Sequence, residues 1–486
     1  MGSALVVGLD IGTTNVKAAA FRGDGSIAAA ASAEYQTYYP QEGWAEQDPA
    51  DWHDAIIRTL GQVIADLGAG KGHIKVLGLS SHAPGLIPVD VSGKPLLQRI
   101  PIWQDERSYK QGRRLLEEVG PEWVGLGMPY AAFAAKLKYF TETDWKLANQ
   151  TRYALGVKSY LAGWLTGTYA TDPSSEPGES AQWERVCRAC GWSLEELPPV
   201  KSATDVIGEL RQEITHQIGL DRPIPVVLGL NDGASATLGN RALQAGDGVI
   251  TLGTNGVIFL VADGPLPPET RLEKALFCWP YLQDRWIVGG QTKAGACCLQ
   301  WLYEIMTGSI GSPEEISRFI EETASSPGSN GALFFPYLMG RGTPLDDPTA
   351  TAGFAGLSFR TGRSDLIRSV LEGVAFALRE ILDTLGDCSL ETRNIFITGG
   401  GARSRKWRQI TADVIGQTIS FAEGDSCLGA SILASVGVGI YSDLEQAAEA
   451  MQQPAEVVEP NEESVQLYHR IYSKYLRKQE ALFSAD

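Results

Sequence analysis

Two distant stretches of the chain repeat one motif, in which an apolar strand bends at Gly-Thr and resumes as a second apolar strand. The first copy covers residues 6–17 and bends at Gly12-Thr13, and the second covers residues 248–257 and bends at Gly253-Thr254. A glycine at such a bend lets the backbone direct its N–H groups towards one point, and the threonine hydroxyl adds a donor. Because each copy opens one half of the sequence, we predict a duplicated α/β fold that holds a nucleotide between its halves.

Length and charge limit the classes of partner. A chain of 486 residues is too long for one core, so we expect two domains. The formal net charge of -17, with no basic block to offset it, argues against nucleic acid or an anionic membrane as a partner. An anionic nucleotide would then depend on local amides and a divalent cation to overcome the acidic background.

The sequence shows neither a membrane-spanning segment nor a signal pattern, so we expect a cytoplasmic protein. No run of residues reaches the length of a transmembrane helix, and the first residues lack a basic-then-apolar signal pattern. The 7 cysteines suggest no disulfide framework. Cys187 and Cys190 have the CxxC spacing, but one pair supplies half of a tetrahedral zinc site, so we expect two thiols on a loop or a short helix.

The N-terminal half begins with alternating strand and helix signals. We predict a strand at Leu5–Leu9, a hairpin turn at Gly23-Asp24-Gly25, a helix over Asp48–Leu67 and a strand at Lys75–Ser80. The helix prediction rests on apolar residues that recur at helical spacing.

The second half repeats this order after its own hairpin. The predicted elements are helices over Ala296–Ile305 and Asp365–Leu385, a strand at Asn394–Thr398 and a final helix over Val465–Leu482. A boundary near Gly239–Gly246 divides the chain into residues 1–243 and 244–486. No low-complexity linker separates the two domains, so we expect them to pack directly and to hinge.

Asp10 ends the first strand of the first hairpin. A carboxylate beside a phosphate-binding loop can position a hydrated magnesium ion, although an aspartate in a turn can also bond its own backbone. Thr251 holds the corresponding place in the second copy, so only one copy brings an acid. Thr14 adds a second hydroxyl beside the bend, and Lys17 either reaches a phosphate or points to solvent.

Asp232 follows a predicted strand and precedes a run of small residues that indicates a tightly packed helix. At a helix N-terminus, free amides and the helix dipole favour the ionised carboxylate. Asp232 could then accept a proton from a substrate hydroxyl at neutral pH. The alternative is that Asp232 caps the helix and has no chemical role.

The segment from Phe396 to Ser404 contains Gly399-Gly400-Gly401 between a strand and a helix. It resembles a dinucleotide fingerprint, but Ser404 replaces the third glycine and no βαβ run is evident around it. We therefore predict an adenosine-binding loop rather than a nicotinamide site. Gly70-Lys71 lacks the remainder of a Walker A sequence.

These motifs stand in an order that resembles the sugar kinase–actin–heat-shock ATPase superfamily, and within it the FGGY carbohydrate kinases. The most specific match begins at Ala352-x-Phe354-x-Gly356-Leu357 and continues with Asp365-Leu366-x-x-Ser369-Val370-Leu371-Glu372. A weaker match, Lys136-Leu137-x-Tyr139-Phe140, has Tyr139 where the family usually has Trp. The resemblance implies a duplicated ribonuclease H-like fold of the actin/hexokinase type, with two domains and a nucleotide cleft between them.

The resemblance also implies roles for particular residues. Asp232 matches the general base, which contacts the substrate and the metal, and Asp10 matches the acid that positions Mg²⁺. ATP would bind through phosphate and nucleotide contacts at Gly12, Thr13, Thr14, Lys17, Gly253, Thr254, Gly400, Gly401 and Ser404. The reaction would be in-line transfer of the γ-phosphoryl group to a sugar hydroxyl. We expect a homodimer.

The predicted sugar-binding loop departs from the subfamily that the overall spacing most resembles, the xylulokinases. These enzymes usually carry Gln-Met-His-Gly after the strand, whereas this chain has His82-Ala83-Pro84-Gly85. His82 and Ala83 remain candidate substrate contacts together with Asp105, although a histidine in a turn can also be structural. D-xylulose is the expected acceptor, and another ketopentose, a polyol or gluconate is the alternative, because changed donors change the substrate.

Other classes of function predict different features. A non-catalytic ATP-binding switch or chaperone of the same fold would need neither Asp232 nor a sugar loop. A sugar-responsive repressor would need a helix-turn-helix before the strand at Leu5, and an oxidoreductase would bind NADH at the glycine turn. The chain keeps both acids, so we expect a kinase.

Overall fold

The computed structural model describes residues 4–123, 132–176, 181–321 and 325–483, and the chain forms two compact units. The first unit is built from Met1–Leu243, Trp279–Trp286 and Gly424–Gln453, and the remaining segments build the second. The chain thus first crosses between units after Leu243. The predicted division did not anticipate that two later segments return to the first unit.

The strands and helices follow in chain order. The strands are β1 (Leu5–Ile11), β2 (Asn15–Phe21), β3 (Ile27–Glu34), β4 (Glu46–Gln47), β5 (Ile74–Ser81), β6 (Ile87–Val89), β7 (Ile100–Pro101), β8 (Tyr153–Leu155), β9 (Val206–Glu209), β10 (Pro225–Asn231), β11 (Asp247–Leu252), β12 (Gly256–Ala262), β13 (Phe277–Pro280), β14 (Trp286–Thr292), β15 (Leu333–Phe335), β16 (Gly353–Ala355), β17 (Asn394–Thr398), β18 (Ile419–Phe421) and β19 (Glu456–Val458). The α-helices are α1 (Pro49–Leu67), α2 (Tyr109–Val119), α3 (Phe133–Thr143), α4 (Trp145–Gln150), α5 (Val157–Thr166), α6 (Ala181–Cys190), α7 (Gln212–Gln217), α8 (Asp232–Gly239), α9 (Pro268–Glu273), α10 (Cys297–Thr307), α11 (Pro313–Glu321), α12 (Arg363–Asp387), α13 (Arg405–Ile415), α14 (Ser426–Gly437), α15 (Leu444–Met451) and α16 (Glu462–Phe483). Short 3₁₀ helices cover Gly68–His73, Leu194–Glu196, Ser329–Gly331 and Gly401–Arg403.

The first unit contains a six-stranded sheet with the order β3-β2-β1-β5-β10-β9. β1, β2 and β3 form an antiparallel meander, β1, β5 and β10 run parallel, and β9 is antiparallel at the edge. Every residue of β1 is buried, as expected for an apolar strand inside a sheet that is covered on both faces.

The sheet of the second unit repeats this arrangement. It has seven strands in the order β13-β14-β12-β11-β17-β18-β19. β11 pairs antiparallel with β12 and parallel with β17, β17 runs parallel to β18, and β19 is antiparallel. In both sheets the first strand of the Gly-Thr hairpin therefore lies between its hairpin partner and a parallel strand. This repetition confirms the predicted duplicated ribonuclease H-like fold.

The long helices lie where the periodicity predicted them. In α1 the side chain of Asp48 caps the N-terminus by accepting from the Ala50 amide, Pro49 occupies the first turn and Gly68 ends the helix. The predictions for α10, α12, α16 and β17 are likewise confirmed. Cys187 and Cys190 lie on α6 as buried, free thiols, so their placement on a short helix is confirmed. Within the described residues, no helix combines the length and the apolar character needed to cross a bilayer.

The expectation that no βαβ run surrounds the glycine turn is wrong. β17, α13 and β18 form such a unit, with β17 and β18 parallel. β18 spans only Ile419–Phe421, which is too short to give a strand signal in the sequence.

Helix α14 belongs to the first unit although it lies late in the sequence. It packs on β1 and β5, where Gly8 and Gly78 permit a close approach of the backbones. A Cβ atom at Gly8 would lie 2.0 Å from the Cys427 carbonyl oxygen, and one at Gly78 would lie 2.2 Å from that of Ala430. Helix α8, rich in small residues as predicted, packs closely against α14. This packing brings the N-terminus of α14 to the ends of β1 and β10.

Candidate active site

Asp10 lies near the C-terminal end of β1 and is 6% exposed. The hydroxyl of Ser80, its neighbour on parallel strand β5, donates to Oδ1 of Asp10 at 2.7 Å. Burial and, to a lesser extent, the charge of Asp425 raise the pKa of Asp10 to about 6, against the opposing effect of the Ser80 hydrogen bond. The carboxylate therefore takes its hydrogen bond from the adjacent strand rather than closing a local turn.

Asp232 is the first residue of α8, and Asn231 is the residue that caps this helix. Oδ1 of Asn231 accepts from the Ala234 amide at 2.7 Å. The carboxylate of Asp232 is half-buried and accepts from the Gly233 amide at 2.8 Å. Because a neighbouring side chain performs the capping, the interpretation of Asp232 as a plain helix cap is wrong.

The protonation of Asp232 differs from the expectation that the helix dipole keeps it ionised. Burial raises its pKa to about 7, and the negative charge of Asp10 adds to the rise. The Gly233 amide lowers the pKa, but the contribution of this short helix is smaller than the cost of burying the charge. A pKa of about 7 suits a general base, because such a group works best with a pKa near the operating pH.

Further groups of the first unit lie close to the two acids. Asp425 caps α14 by accepting from the Leu428 amide, and Ser426 donates through its hydroxyl to the Asp232 carbonyl oxygen at 3.4 Å. Sequence reasoning missed both residues. The Asp-Ser start of a small-residue helix is a capping signal, but only the fold brings it beside Asp10.

The first Gly-Thr bend is held by side chains from three different segments. The Tyr35 hydroxyl donates to the Gly12 carbonyl oxygen, and Nε2 of Gln47 donates to that of Thr13 at 2.7 Å. Nε1 of Trp103 donates to the Thr13 hydroxyl at 3.0 Å. The other two predicted phosphate contacts, Thr14 and Lys17, are exposed, and Lys17 faces Asp10 across the β1–β2 ladder.

The second Gly-Thr bend is held by backbone groups instead. The Gly295 amide donates to the Thr254 carbonyl oxygen at 2.8 Å, and the Ala296 amide donates to that of Gly253 at 2.8 Å. These amides precede α10, so the start of this helix is anchored on the bend.

The glycine turn lies beside this second bend in the same unit. A Cβ atom at Gly401 would lie 3.2 Å from that of Leu252, the last residue of β11. Gly400 is exposed with no atom within 4 Å of an added Cβ, so its surface is open to a ligand. Ser404 caps α13 by accepting from the Trp407 amide at 3.3 Å. The predicted phosphate and nucleotide contacts of the second half are thus neighbours.

His82 follows β5 and lies beside the first bend, since its amide donates to the Ile11 carbonyl oxygen at 2.8 Å. Its ring is buried edge-on against Trp52, and burial lowers its pKa to about 4. Within the described residues neither ring nitrogen has a hydrogen-bond partner. Because a buried polar group without a partner is costly, this neutral imidazole is suited to a ligand hydroxyl. Ala83 follows it, half-buried, in a cis peptide with Pro84.

Asp105 is fully buried and engaged by protein groups. Nε and Nη2 of Arg107 each donate to it at 2.7 Å, and the Ala45 amide donates at 2.8 Å. Arg107 also donates to Glu46 at 2.6 Å and lies over the ring of Trp44. Protein groups therefore already bond the carboxylate of Asp105, which was predicted to contact the substrate.

Comparison with known proteins identifies two matching family profiles. The N-terminal domain of the FGGY family of carbohydrate kinases matches residues 5–239, and its C-terminal domain matches residues 248–438. Together these ranges cover most of the chain.

Relatives of similar length carry two different names. A gluconokinase from Bacillus subtilis is 30% identical over 459 residues, covering 90% of this chain and 88% of its own. A xylulose kinase from Escherichia coli is 30% identical over 445 residues, covering 89% of this chain and 90% of its own. The crystal structure of a xyloylose kinase from Brucella ovis superposes with a TM-score of 0.88 at 28% identity, covering 99% of this chain and all of that chain.

Proposed function

Since the chain belongs to the FGGY family of carbohydrate kinases and is an ATP-dependent sugar kinase, we propose that its acceptor is D-xylulose, which it converts to xylulose 5-phosphate. The observation that carries the proposed chemistry is the pair of Asp10 and Asp232. Asp10 lies near the end of β1 and Asp232 directly follows β10, and burial together with the negative charge of Asp10 raises the pKa of Asp232 to about 7.

Asp232 is proposed as the general base. Its carboxylate accepts the proton of the acceptor hydroxyl while that oxygen bonds to the γ-phosphorus and the bond to ADP breaks. A group with this pKa is ionised in a large fraction of molecules at neutral pH and still binds the proton well. Asn231 leaves the carboxylate available because it performs the capping.

Magnesium is proposed to bind at Asp10, with Asp232 beside it, and would neutralise the developing phosphate charge. Within residues 4–123, 132–176, 181–321 and 325–483, no group of three or more His, Cys, Asp or Glu side chains is arranged to hold a metal. A magnesium ion that is shared with nucleotide phosphates needs only one or two protein carboxylates, so the pair fits this requirement.

The nucleotide is proposed to contact both Gly-Thr bends and the glycine turn. Residues 1–243 would bind the sugar, and residues 244–486 would bind the nucleotide. The proposed contacts are Gly12, Thr13, Thr14, Lys17, Gly253, Thr254, Gly400, Gly401 and Ser404. A homodimer and a cytoplasmic location remain predictions from the sequence.

The charge of the first unit favours a neutral acceptor over gluconate. The site contains Asp10 and Asp232, and Asp425 adds a third carboxylate near them. A carboxylate on the acceptor would need a cation, and the Arg107 guanidinium is already bonded to Asp105 and Glu46. His82 offers a neutral imidazole, which suits a ketose hydroxyl. Gluconate stays the second candidate because a gluconokinase is as similar in sequence as a xylulose kinase.

A coupled ADP-release assay with magnesium-ATP tests the proposal. The panel contains D-xylulose, other ketopentoses, polyols and gluconate, and the Asp232→Asn variant serves as the blank. We expect the highest kcat/KM with D-xylulose and a loss of about 10²–10⁴-fold in kcat in the variant. A higher kcat/KM with gluconate would identify gluconate as the acceptor in place of D-xylulose. Full activity of Asp232→Asn would refute the proposed role of Asp232 as general base.

A further inference from the structure

A buried cluster of charged side chains, formed by Lys158, Asp172 and Glu176, lies beside the chain segment that precedes Asp232. It has no part in the proposed chemistry. Lys158 of α5 is paired with Asp172, and both side chains are fully buried. Glu176 lies in the same cluster, where its carboxylate accepts from the Ser159 hydroxyl at 2.7 Å. Burial raises the pKa of Glu176 to about 7 and lowers that of Lys158. Buried ion pairs seldom add net stability, but they fix the groups that they bond.

The segment that carries Asp172 is bonded to Asn231, the residue before the proposed base. The Asn231 amide donates to the Ser174 hydroxyl at 3.0 Å, and Nδ2 of Asn231 donates to the Ser174 carbonyl oxygen at 2.6 Å. Asp172 holds Ser174 in turn, because its Oδ2 accepts from the Ser174 amide at 2.8 Å. Oδ1 of Asn231 also accepts from the Ala234 amide, so three hydrogen bonds fix this residue.

Lys158 also bonds the strand that leads to Asp232. Its Nζ donates to the Gly229 carbonyl oxygen at 2.9 Å. Gly229 has φ of +68°, and the register between β10 and β5 shifts between Val227 and Leu230. A Cβ atom at Gly229 would lie 1.7 Å from the Leu79 carbonyl oxygen. The irregular end of β10 is therefore held by the same ammonium group that pairs with Asp172.

We propose that Lys158, Asp172 and Ser174 are positioning residues that fix the orientation of Asp232 through Asn231 and Gly229. The inference rests on the proposed role of Asp232 as general base. None of the three side chains bonds the Asp232 carboxylate itself. They define where the first turn of α8 begins and so where the carboxylate points. A displacement of a reacting group by about 1 Å costs about 10²-fold in rate, so their removal should act on kcat.

The test compares Ser174→Ala with Ser435→Ala by steady-state kinetics, normalised to the folded fraction. Ser174→Ala removes the acceptor of the Asn231 amide. Ser435→Ala removes another buried hydroxyl of the first unit, which bonds the Ile432 carbonyl oxygen at 2.7 Å within α14. We expect Ser174→Ala to lower kcat by about 10–10²-fold with both KM values within about threefold, and Ser435→Ala to keep kcat within about twofold.

A second variant tests the same bonds if Ser174→Ala does not fold. Asn231→Asp keeps the oxygen that caps α8 but replaces the donor to the Ser174 carbonyl oxygen with an acceptor. We expect the same fall in kcat with little change in KM. Wild-type kcat in the folded variant, or a loss no larger than that of Ser435→Ala, overturns the inference.

The Asp232→Asn variant is measured in parallel to separate the two proposals. If it retains wild-type kcat, the proposed base is wrong and the positioning role falls with it. If it is inactive while Ser174→Ala and Asn231→Asp are fully active, the base stands and only the positioning inference is overturned.

Discussion

The two Gly-Thr bends each join a pair of antiparallel strands but are held in different ways. The bend at Gly12-Thr13 receives hydrogen bonds from the side chains of Tyr35, Gln47 and Trp103. The bend at Gly253-Thr254 receives them from the backbone amides that precede α10. The conformation of the first bend therefore depends on the identity of side chains that are distant in sequence. The conformation of the second depends on backbone amides, which do not vary with the side chain.

The acids also distinguish the two copies. Asp10 stands one residue before the end of β1, and Thr251 stands one residue before the end of β11. Asp10 pairs across the ladder with Lys17, and Thr251 pairs with Val257. The two units thus share their strand order, but only the first has a carboxylate at this position of the hairpin. Four predictions test this difference.

The largest contrast is expected between Asp10→Asn and Thr251→Val. Asp10→Asn removes the carboxylate that we propose binds magnesium, and such a ligand contributes several kcal/mol of charge stabilisation, so kcat should fall on the order of 100-fold and the magnesium requirement should rise. Thr251→Val removes a neutral hydroxyl at the matching position, and we expect kcat within about threefold of wild type. Magnesium titrations of both variants provide the measurement. Equal losses would end the assignment of the acid chemistry to the first unit.

The pH profile of kcat/KM should report the raised pKa of Asp232, which is about 7. The proposed base must be deprotonated to accept a proton, so activity should fall about tenfold per pH unit below this value. In Asp10→Asn the acidic limb should move to lower pH, because the charge of Asp10 contributes to the rise. A limb at the same pH in both proteins would show that the two carboxyl groups do not interact.

Gln47→Leu tests the side-chain support of the first bend. Gln47 bonds the Thr13 carbonyl oxygen and accepts from Nε1 of the buried Trp52 at 3.1 Å. Leaving the indole without an acceptor should lower the free energy of unfolding by about 1–3 kcal/mol. We expect a rise of a few-fold in the KM for ATP as well. Gln62→Leu, which removes an exposed amide of α1, is the control, and an equal loss of stability there would contradict the structural role of Gln47.

The smallest expected effect is a rise in the Tm of Asp232→Asn. The pKa of Asp232 in the folded protein lies above the ordinary aspartate value of 3.8, so the fold disfavours the ionised carboxylate at neutral pH. Removing the charge should raise Tm by about 3 °C above pH 7. The gain should shrink as the pH falls and disappear below about 3.8, where the group is protonated in both states. Calorimetry at pH 8 and pH 4 measures it, and a Tm below that of wild type at pH 8 would contradict the burial cost.

Much of the fold could be predicted because its signals are local. The Gly-Thr bends, the period of α1 and α12 and the glycine turn after β17 are each contained in a short stretch of sequence. The βαβ unit around the glycine turn was missed because β18 is only three residues long. The return of residues 424–453 to the first unit was missed because helix α14 gives the same local pattern wherever it packs.

The sequence by itself determined the duplicated architecture, the two acids and the membership of the FGGY family, because periodicity, turn residues and signature motifs are carried by adjacent residues. The tertiary structure decided that Asn231 caps α8 in place of Asp232, that Ser80 bonds Asp10 and that the pKa of Asp232 rises. Which residue caps α8 depends on local geometry, and the sequence leaves this open because Asn231 and Asp232 are both common capping residues. The others depend on burial and on groups far apart in the chain, which only folding brings within hydrogen-bond or electrostatic range.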